Sequence, residues 1–478
     1  MSEDYYGEDS SGFINNEENA EENSDQLIKT STMENNFFKT EEDIVIKDNN
    51  RTELEVVSFF GISSDTQFSV IINLISSAIG GGCLNFPTIL DAIGLPLTII
   101  IFSIVTISVY YTIDLLRSFV VDTKNFSFGI ITHEILGVKW LIIYTISSLI
   151  FYLSIEITYL SEMYTILSNL LGLANDYSIL KNLIFFIVSI PLEIFIFLYY
   201  AKAQKIHLLS LISCSIFLII FVIIIITGTY NMFQGESEDN ESSLIKPDIK
   251  DKGQFFFSLM SFIIEYLYGY TYHNIYPNLL CNLRNIDNKN TKFIHNFSFI
   301  IILIIYFLIT FFGSFLKVPM SEILFNGNTY QEVNIGRVNI FRVLICIFLF
   351  TAMPIRYIII RDNYTCLLDI RKQTEITFCK DLIAVIICTI FCNIIVYLTN
   401  ISIINFNIFT NFIQLFGGIF GVIICFILPV INYIGVNGKT KVKSILGYIL
   451  TGLFSIIGLL SVGHSIHGIF IQNEFENI

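Results

Sequence analysis

The stretch Asn73-Leu-Ile-Ser76-Ser77-Ala-Ile-Gly80-Gly81-Gly82-Cys83-Leu84-Asn85-Phe86-Pro87 lies inside an apolar run near 67–89. A run of that length is enough to cross a bilayer. Three consecutive glycines and a proline are poor helix formers: glycine has the most backbone entropy to lose, and proline lacks an N–H and clashes with the preceding turn. Irregular backbone survives at membrane depth only where it is buried in protein or lines a cavity. A break at Gly80–Gly82 frees backbone N–H groups, which at the N-terminus of a following half-helix face an anion along a favourable dipole. The stretch therefore suits a carboxylate seat. The same residues also suit close helix packing or a simple kink.

Outward from this stretch the chain stays apolar. Of its 478 residues, 54% are hydrophobic and 14% charged, against about 25% charged in soluble domains. Eleven runs read as spans, near 67–89, 94–119, 138–170, 180–200, 206–230, 254–279, 294–318, 338–360, 380–400, 403–431 and 443–470. They are continuously apolar and not alternating, so they predict helices. The expected surroundings are a lipid bilayer. A soluble enzyme, a disordered regulator and a nucleic-acid binder are excluded.

The net charge of −14 belongs mostly to one end, where residues 1–60 hold sixteen acids and four bases. The expected domains are a disordered acidic cytosolic tail at 1–62, an eleven-helix body at 63–471 and a short non-cytosolic tail at 472–478. Too few apolar residues occur in the first of these to offset the entropy of ordering. It is a solvated tail, or a site for sorting, phosphorylation or a cytosolic partner. With the N-terminus in the cytosol, the gaps on that side carry fourteen bases, among them Arg117, Lys124, Arg284, Arg361 and Lys443, against six on the other. That is the bias expected of a cytosolic N-terminus. The nine cysteines make no CxxC, and neither a zinc site nor a disulfide framework is expected.

A second interruption falls in the sixth span, Glu265-Tyr-Leu-Tyr268-Gly269-Tyr270-Thr-Tyr-His273-Asn-Ile-Tyr-Pro277. The two breaks are five spans apart, and corresponding breaks in two halves of a transporter point to its binding site. Five helices repeated in inverted order, with one more, would account for all eleven. Ionisable residues inside a membrane are usually functional. Glu265 precedes the second break by one turn and is placed to carry a proton, or to stand as a neutral hydrogen-bonded group. Glu156 and Glu162 lie in span three and Glu193 in span four, beside Pro191, whose freed backbone it would satisfy. His273 is a packing residue or a proton carrier. His464 and His467 are too few to hold a metal, and no metal or other cofactor is expected.

Together these segments resemble the amino acid/auxin permease family, also called the amino acid transporter transmembrane family. Gly80-Gly81-Gly82-Cys83-Leu84-Asn85-Phe86-Pro87 is similar to its first-helix pattern. Tyr268-Gly269-Tyr270-Thr-Tyr-His273 is similar to its sixth-helix pattern, Pro354-Ile-Arg356 to the Pro-x-Arg near the cytosolic end of its eighth helix, and Gly417-Gly418 with Pro429 to its tenth. The resemblance runs from about residue 66 to 470. It implies an all-helical five-plus-five inverted repeat with an eleventh helix, discontinuous helices one and six, and secondary active transport of neutral or cationic amino acids.

Residue by residue, the resemblance implies that Gly80, Gly81 and Gly82, flanked by Ser76, Ser77 and Cys83, seat the substrate carboxylate. Tyr268, Gly269 and Tyr270 would hold the ammonium through freed carbonyls. Ser76 stands where many sodium-coupled members have asparagine, and the middle of span eight has no hydroxyl residue. A proton is therefore expected over sodium, with Glu265, Glu156 and His273 as its candidate carriers. The plasma membrane and a vacuolar or lysosomal membrane both fit. The rival expectations are an amino-acid sensor that signals through its tail, and a channel. An enzyme is not expected, since no nucleophile–base pair faces one level of the bilayer.

Overall fold

The first apolar run folds as two helices. Helix α1, Gln67–Ala78, starts at Thr66, whose side chain accepts a hydrogen bond from the Ser69 N–H, and ends at Ile79. Gly80 is extended, and a tight 3-10 turn follows over Gly81–Asn85. Helix α2, Phe86–Ile93, then carries Pro87 in its first turn, where a missing N–H breaks no helical bond. The two parts of the run are bent by 53°. Gly94, at φ 78, turns the chain directly into α3, Leu95–Thr123, which also has a proline in its first turn.

The computed structural model describes residues 58–59, 62–63, 66–170, 179–200, 206–234, 252–283, 286–316, 335–368, 378–400, 414–437 and 442–475. After α3 come the short α4 (Phe128–Leu136) and then α5 (Val138–Leu170), α6 (Ile179–Tyr200) and α7 (Ile206–Gln234). The second interrupted run is α8 (Lys252–Gly269) followed by α9 (Ile275–Leu280). Next are α10 (Asn288–Gly313), α11 (Ile335–Leu368) and α12 (Phe378–Asn400). The last two are α13 (Gln414–Val436) and α14 (Val442–Phe475). The first half of α13 is wound as π-helix over Gly417–Gly421 and Ile423–Ile427. A two-residue antiparallel ladder, Ser58–Phe59 with Ile62–Ser63, precedes α1. The rest of the expected tail at 1–62, and residues 476–478, lie outside the described residues.

Among the described residues seven helices, α3, α5, α7, α10, α11, α13 and α14, are long and apolar enough to cross a membrane, and the bent α1–α2 pair, taken as one span, makes an eighth. Among the described residues α6, α8 and α12 contain shorter apolar stretches, Phe186–Phe195, Phe255–Gly269 and Leu382–Leu398. The polarity is that of a protein in lipid. Ile99, Ile100, Ile104 and Ile107 of α3, and Ile300, Ile304 and Phe307 of α10, are exposed. In water such faces would be aggregation surfaces. The buried set includes Arg356, Glu156, Glu162, Glu193, His273 and His295.

Packing places the interrupted helices at the centre. Helix α11 lies along α5 and α7, α1 packs on α7 and α10, and α8 packs on α14 and on the 3-10 turn after α1. At one end of the bundle, Arg117 of α3 pairs with Asp114 at 2.9 Å and Lys443 of α14 reaches the same carboxylate at 3.5 Å. Arg117 also donates to Asn288 of α10 at 2.6 Å. The ends of α3, α10 and α14 assigned to one side by their charges are thus physically together. Asp114 is partly buried between its two cations.

Candidate functional site

The two interruptions meet. The second begins where α8 stops at Gly269, and the chain then makes tight turns, with Tyr270 N–H donating to the Leu267 carbonyl at 3.0 Å and Tyr272 N–H to the Tyr270 carbonyl at 2.9 Å. Gly269 is required by proximity: a Cβ there would stand 2.5 Å from Cζ of Phe86, at the start of α2. The Tyr306 hydroxyl of α10 lies 2.6 Å from the Ala78 carbonyl at the first break and 2.6 Å from the Gly269 carbonyl at the second. A hydroxyl has one proton to donate. One of these two carbonyls is therefore always open to another donor.

Beside this junction is a small, tightly lined cavity. Ser77, Ala78, Gly80 and Gly82 line it from the first break, and Tyr268, Gly269 and Thr271 from the second. Ile155 and Tyr159 of α5 and Arg356 of α11 close it. A side chain at Gly80 would collide with the Tyr159 hydroxyl and come within 2.8 Å of Nη2 of Arg356. Gly80 is thus where backbone, phenol and guanidinium converge.

Arg356 is the residue that the sequence reading left out of the site. It is 5% exposed. Its guanidinium carbon lies 4.5 Å from the Tyr159 ring centroid, a cation–π contact. Nη1 donates to the Ala352 carbonyl at 3.0 Å. Among the described residues no carboxylate forms an ion pair with it. A buried charge without a counter-ion is costly, and a planar guanidinium is shaped to take a carboxylate through two parallel hydrogen bonds. The signal was available in the sequence, because arginine inside a membrane helix is rarely idle. Its nearness to Gly80 was not.

The expected site residues divide into three groups. Ser77, Gly80, Gly82, Tyr268 and Gly269 line the cavity, and Gly81 opens the 3-10 turn. Ser76, Cys83 and Tyr270 stand behind it: Ser76 is buried in α1, Cys83 Sγ donates to the Gly80 carbonyl at 3.0 Å, and the Tyr270 hydroxyl bonds Thr106 at 3.0 Å. Of the carbonyls expected to be free, those of Tyr268 and Tyr270 are occupied by Thr271 and Tyr272. Of the expected carbonyls Gly269 is left, sharing the single Tyr306 proton with Ala78.

The third group holds the expected proton carriers, which lie away from the cavity. Glu265 accepts from Gln414 Nε2 at 2.5 Å and is not among the lining residues. The His273 Nε2 faces the Thr112 hydroxyl at 2.9 Å. Glu156 lines a separate cavity between α5, α6, α11 and α12. Among the described residues no three His, Cys, Asp or Glu side chains come together to hold a metal ion.

Interrupted helices meeting at a small polar cavity, inside an all-helical membrane bundle, define a transporter of the discontinuous-helix class. The family described as transmembrane amino acid transporter protein matches residues 63–471, and the chain belongs to that family. Solved structures share the fold. One is a mutant of the Eremococcus coleocola manganese transporter, 12% identical, with a TM-score of 0.57 over 85% of this chain and 88% of that one. Another is MhsT in complex with L-phenylalanine, also 12% identical, with a TM-score of 0.55 over 84% of this chain and 98% of that one. No curated protein sequence matches the chain. Family and fold point to a transporter and not to an enzyme.

Proposed function

We propose that this chain is a secondary transporter of amino acids with uncharged side chains, working by alternating access. The observation that carries the reading is Arg356, a buried guanidinium without a carboxylate, set against Tyr159 and the extended backbone of Gly80. The substrate carboxylate sits there, completed by the N–H groups of the turn that follows Gly80. The ammonium lies against the Ala78 and Gly269 carbonyls, displacing the Tyr306 proton from one of them. The carboxylate pairs with the guanidinium and the ammonium with carbonyl dipoles. Among the described residues the lining holds no second charged side chain to pair with a charge on the substrate's own side chain, which favours substrates whose side chain adds none. A divalent metal as cargo is disfavoured, because the guanidinium would repel it.

In this reading α1–α2 and α8–α9 are corresponding members of two five-helix halves, and α14 is the eleventh span. The broken helices move against α5 and α11. A proton is the coupling ion in preference to sodium, and no cofactor takes part. The N-terminus is cytosolic, and the membrane is the plasma membrane or a vacuolar or lysosomal one.

Thermal-shift screening of the purified full chain against the proteinogenic amino acids tests binding, since a ligand of the folded state raises its apparent stability. Uptake of the radiolabelled amino acids into proteoliposomes tests transport. A zwitterionic amino acid should both stabilise the protein and accumulate. Absence of accumulation under pH and sodium gradients alike overturns the reading.

A further inference from the structure

The second cavity, also small, carries chemistry that substrate binding does not use. Glu156 of α5 and Glu193 of α6 both line it and are 3% and 2% exposed. Neither oxygen of Glu156 has a hydrogen-bond partner, nor has Oε1 of Glu193. Oε2 of Glu193 accepts from Asn393 Nδ2 at 3.1 Å. The Thr389 hydroxyl of α12, 2% exposed and also without a partner, lines the same space. Leu153, Leu160, Phe197, Met353 and Ile360 supply much of the remaining wall. The two carboxylates, the Thr389 and Tyr357 hydroxyls and the Cys388 and Cys392 thiols stand in an otherwise apolar wall. They suit a proton, which needs only a carboxylate oxygen.

The titratable and charged groups facing Glu156 are few. They are Glu193 from α6, Tyr357 from α11, and Cys388 and Cys392 from α12 in the same cavity, with Arg356 of α11 acting on Glu156 through its charge from the other. Arg356 is the one cation among them, and it belongs to the substrate cavity. The two cavities lie on different faces of the same two helices. On α5, Ile155 and Tyr159 line the substrate cavity, while Leu153, Glu156 and Leu160 line the second. On α11, Arg356 lines the first, and Met353, Tyr357 and Ile360 the second.

We propose that the Glu156–Glu193 cavity is the proton site of this transporter, linked to the substrate seat through Arg356. The proposal rests on the transporter reading and locates its coupling. With the seat empty, Arg356 attracts the ionised Glu156. A substrate carboxylate on Arg356 cancels that attraction, and Glu156 takes a proton from the loading side. Reciprocally, a proton on Glu156 removes the anion that competes for Arg356, and the substrate binds more tightly. Each ligand raises the affinity for the other, as linkage requires, and both leave together when the cavity opens to the other side.

The test is exchange and accumulation of a radiolabelled mixture of proteinogenic L-amino acids in proteoliposomes of the full chain. For the wild type, acidifying the loading side should lower the half-saturating concentration about 5-fold or more. A pH gradient should drive accumulation. Glu156→Gln should still exchange substrate with a half-saturation insensitive to pH and should lose gradient-driven accumulation. Glu193→Gln should weaken the same response, while Glu265→Gln should keep it. Gradient-driven accumulation at the wild-type level in both Glu156→Gln and Glu193→Gln overturns the proposal, as does a wild type that exchanges substrate without regard to pH. A wild type that neither exchanges nor accumulates any amino acid overturns the transporter reading itself, and this proposal with it. Should Glu156→Gln not fold, the wild type still decides: adding the amino acid mixture to purified protein in weak buffer should withdraw protons from solution. No uptake, or a release, overturns the proposal.

Discussion

Gly80 shows how little room one position leaves. Its missing side chain is the space in which the Tyr159 hydroxyl and the Arg356 guanidinium approach the backbone. Gly80→Ala should therefore abolish binding in the thermal-shift assay while the protein still folds. Arg356→Gln removes the cation and leaves the substrate carboxylate buried without it. Truncating one partner of a buried charge pair costs about 2–5 kcal/mol, so affinity should fall by roughly 30-fold or more. Arg356→Lys should rescue little, because an ammonium cannot reproduce the planar pair of hydrogen bonds. Amino acid amides, which lack the carboxylate, should fail as competitors in the uptake assay. Tyr306→Phe leaves a buried carbonyl without its donor and should lower stability by about 1–3 kcal/mol, measured by thermal unfolding of the purified protein.

Between elements, the junction of the two broken helices depends on close approach. Phe86 of α2 packs against Tyr266 of α8 with ring centroids 4.6 Å apart, and edge-on to Tyr306 of α10 at 5.2 Å. Gly269 lets α8 end directly against that ring. Gly269→Ala forces the ring aside and should cost about 1–3 kcal/mol, as overpacking does. Phe86→Leu in the same chain should recover part of the loss, since residues in contact are not additive. A double-mutant cycle on unfolding temperature measures this, and simple additivity would show that the two groups do not meet. The π-helical winding of α13 belongs to the same scale. It brings Gly417 to the back of Tyr268, where an added Cβ would stand 3.5 Å from the ring, so a third irregular helix abuts the second break.

Across the whole molecule, ion pairs join ends of the chain that are far apart in sequence. Asp114 holds both Arg117 and Lys443, and Arg117 extends to Asn288 and Thr291. The two cations differ in exposure, 8% for the Arg117 side chain and 55% for that of Lys443. Screened by solvent, the Lys443 pair is worth at most about 1 kcal/mol, and Lys443→Ala should barely change the unfolding temperature. Arg117→Ala strips a partly buried carboxylate of its main partner and should cost about 1.5–3 kcal/mol. Equal effects from the two substitutions would show that this end of the bundle is open to water.

Local chemistry made much of this legible. Glycines 80 to 82 with Pro87, and Gly269 with Pro277, announce broken helices because backbone propensity acts over a few residues, wherever the chain goes. Apolar runs announce spans because a bilayer accepts little else. Charge bias between the runs already grouped the ends of α3, α10 and α14 that Asp114, Arg117 and Lys443 tie together. Contacts between distant residues were not legible in this way. Glu265 is adjacent in sequence to the second break, yet it turns to Gln414, whereas Glu156 and Glu193, from two other helices, share a cavity. Arg356 stands more than two hundred residues from Gly80 in the chain and reaches it only because α11 packs beside α1 and α5. Helix rotation and packing choose such partners, since a helical residue's direction turns by about 100° per position and nothing short of the packed bundle sets where that direction leads.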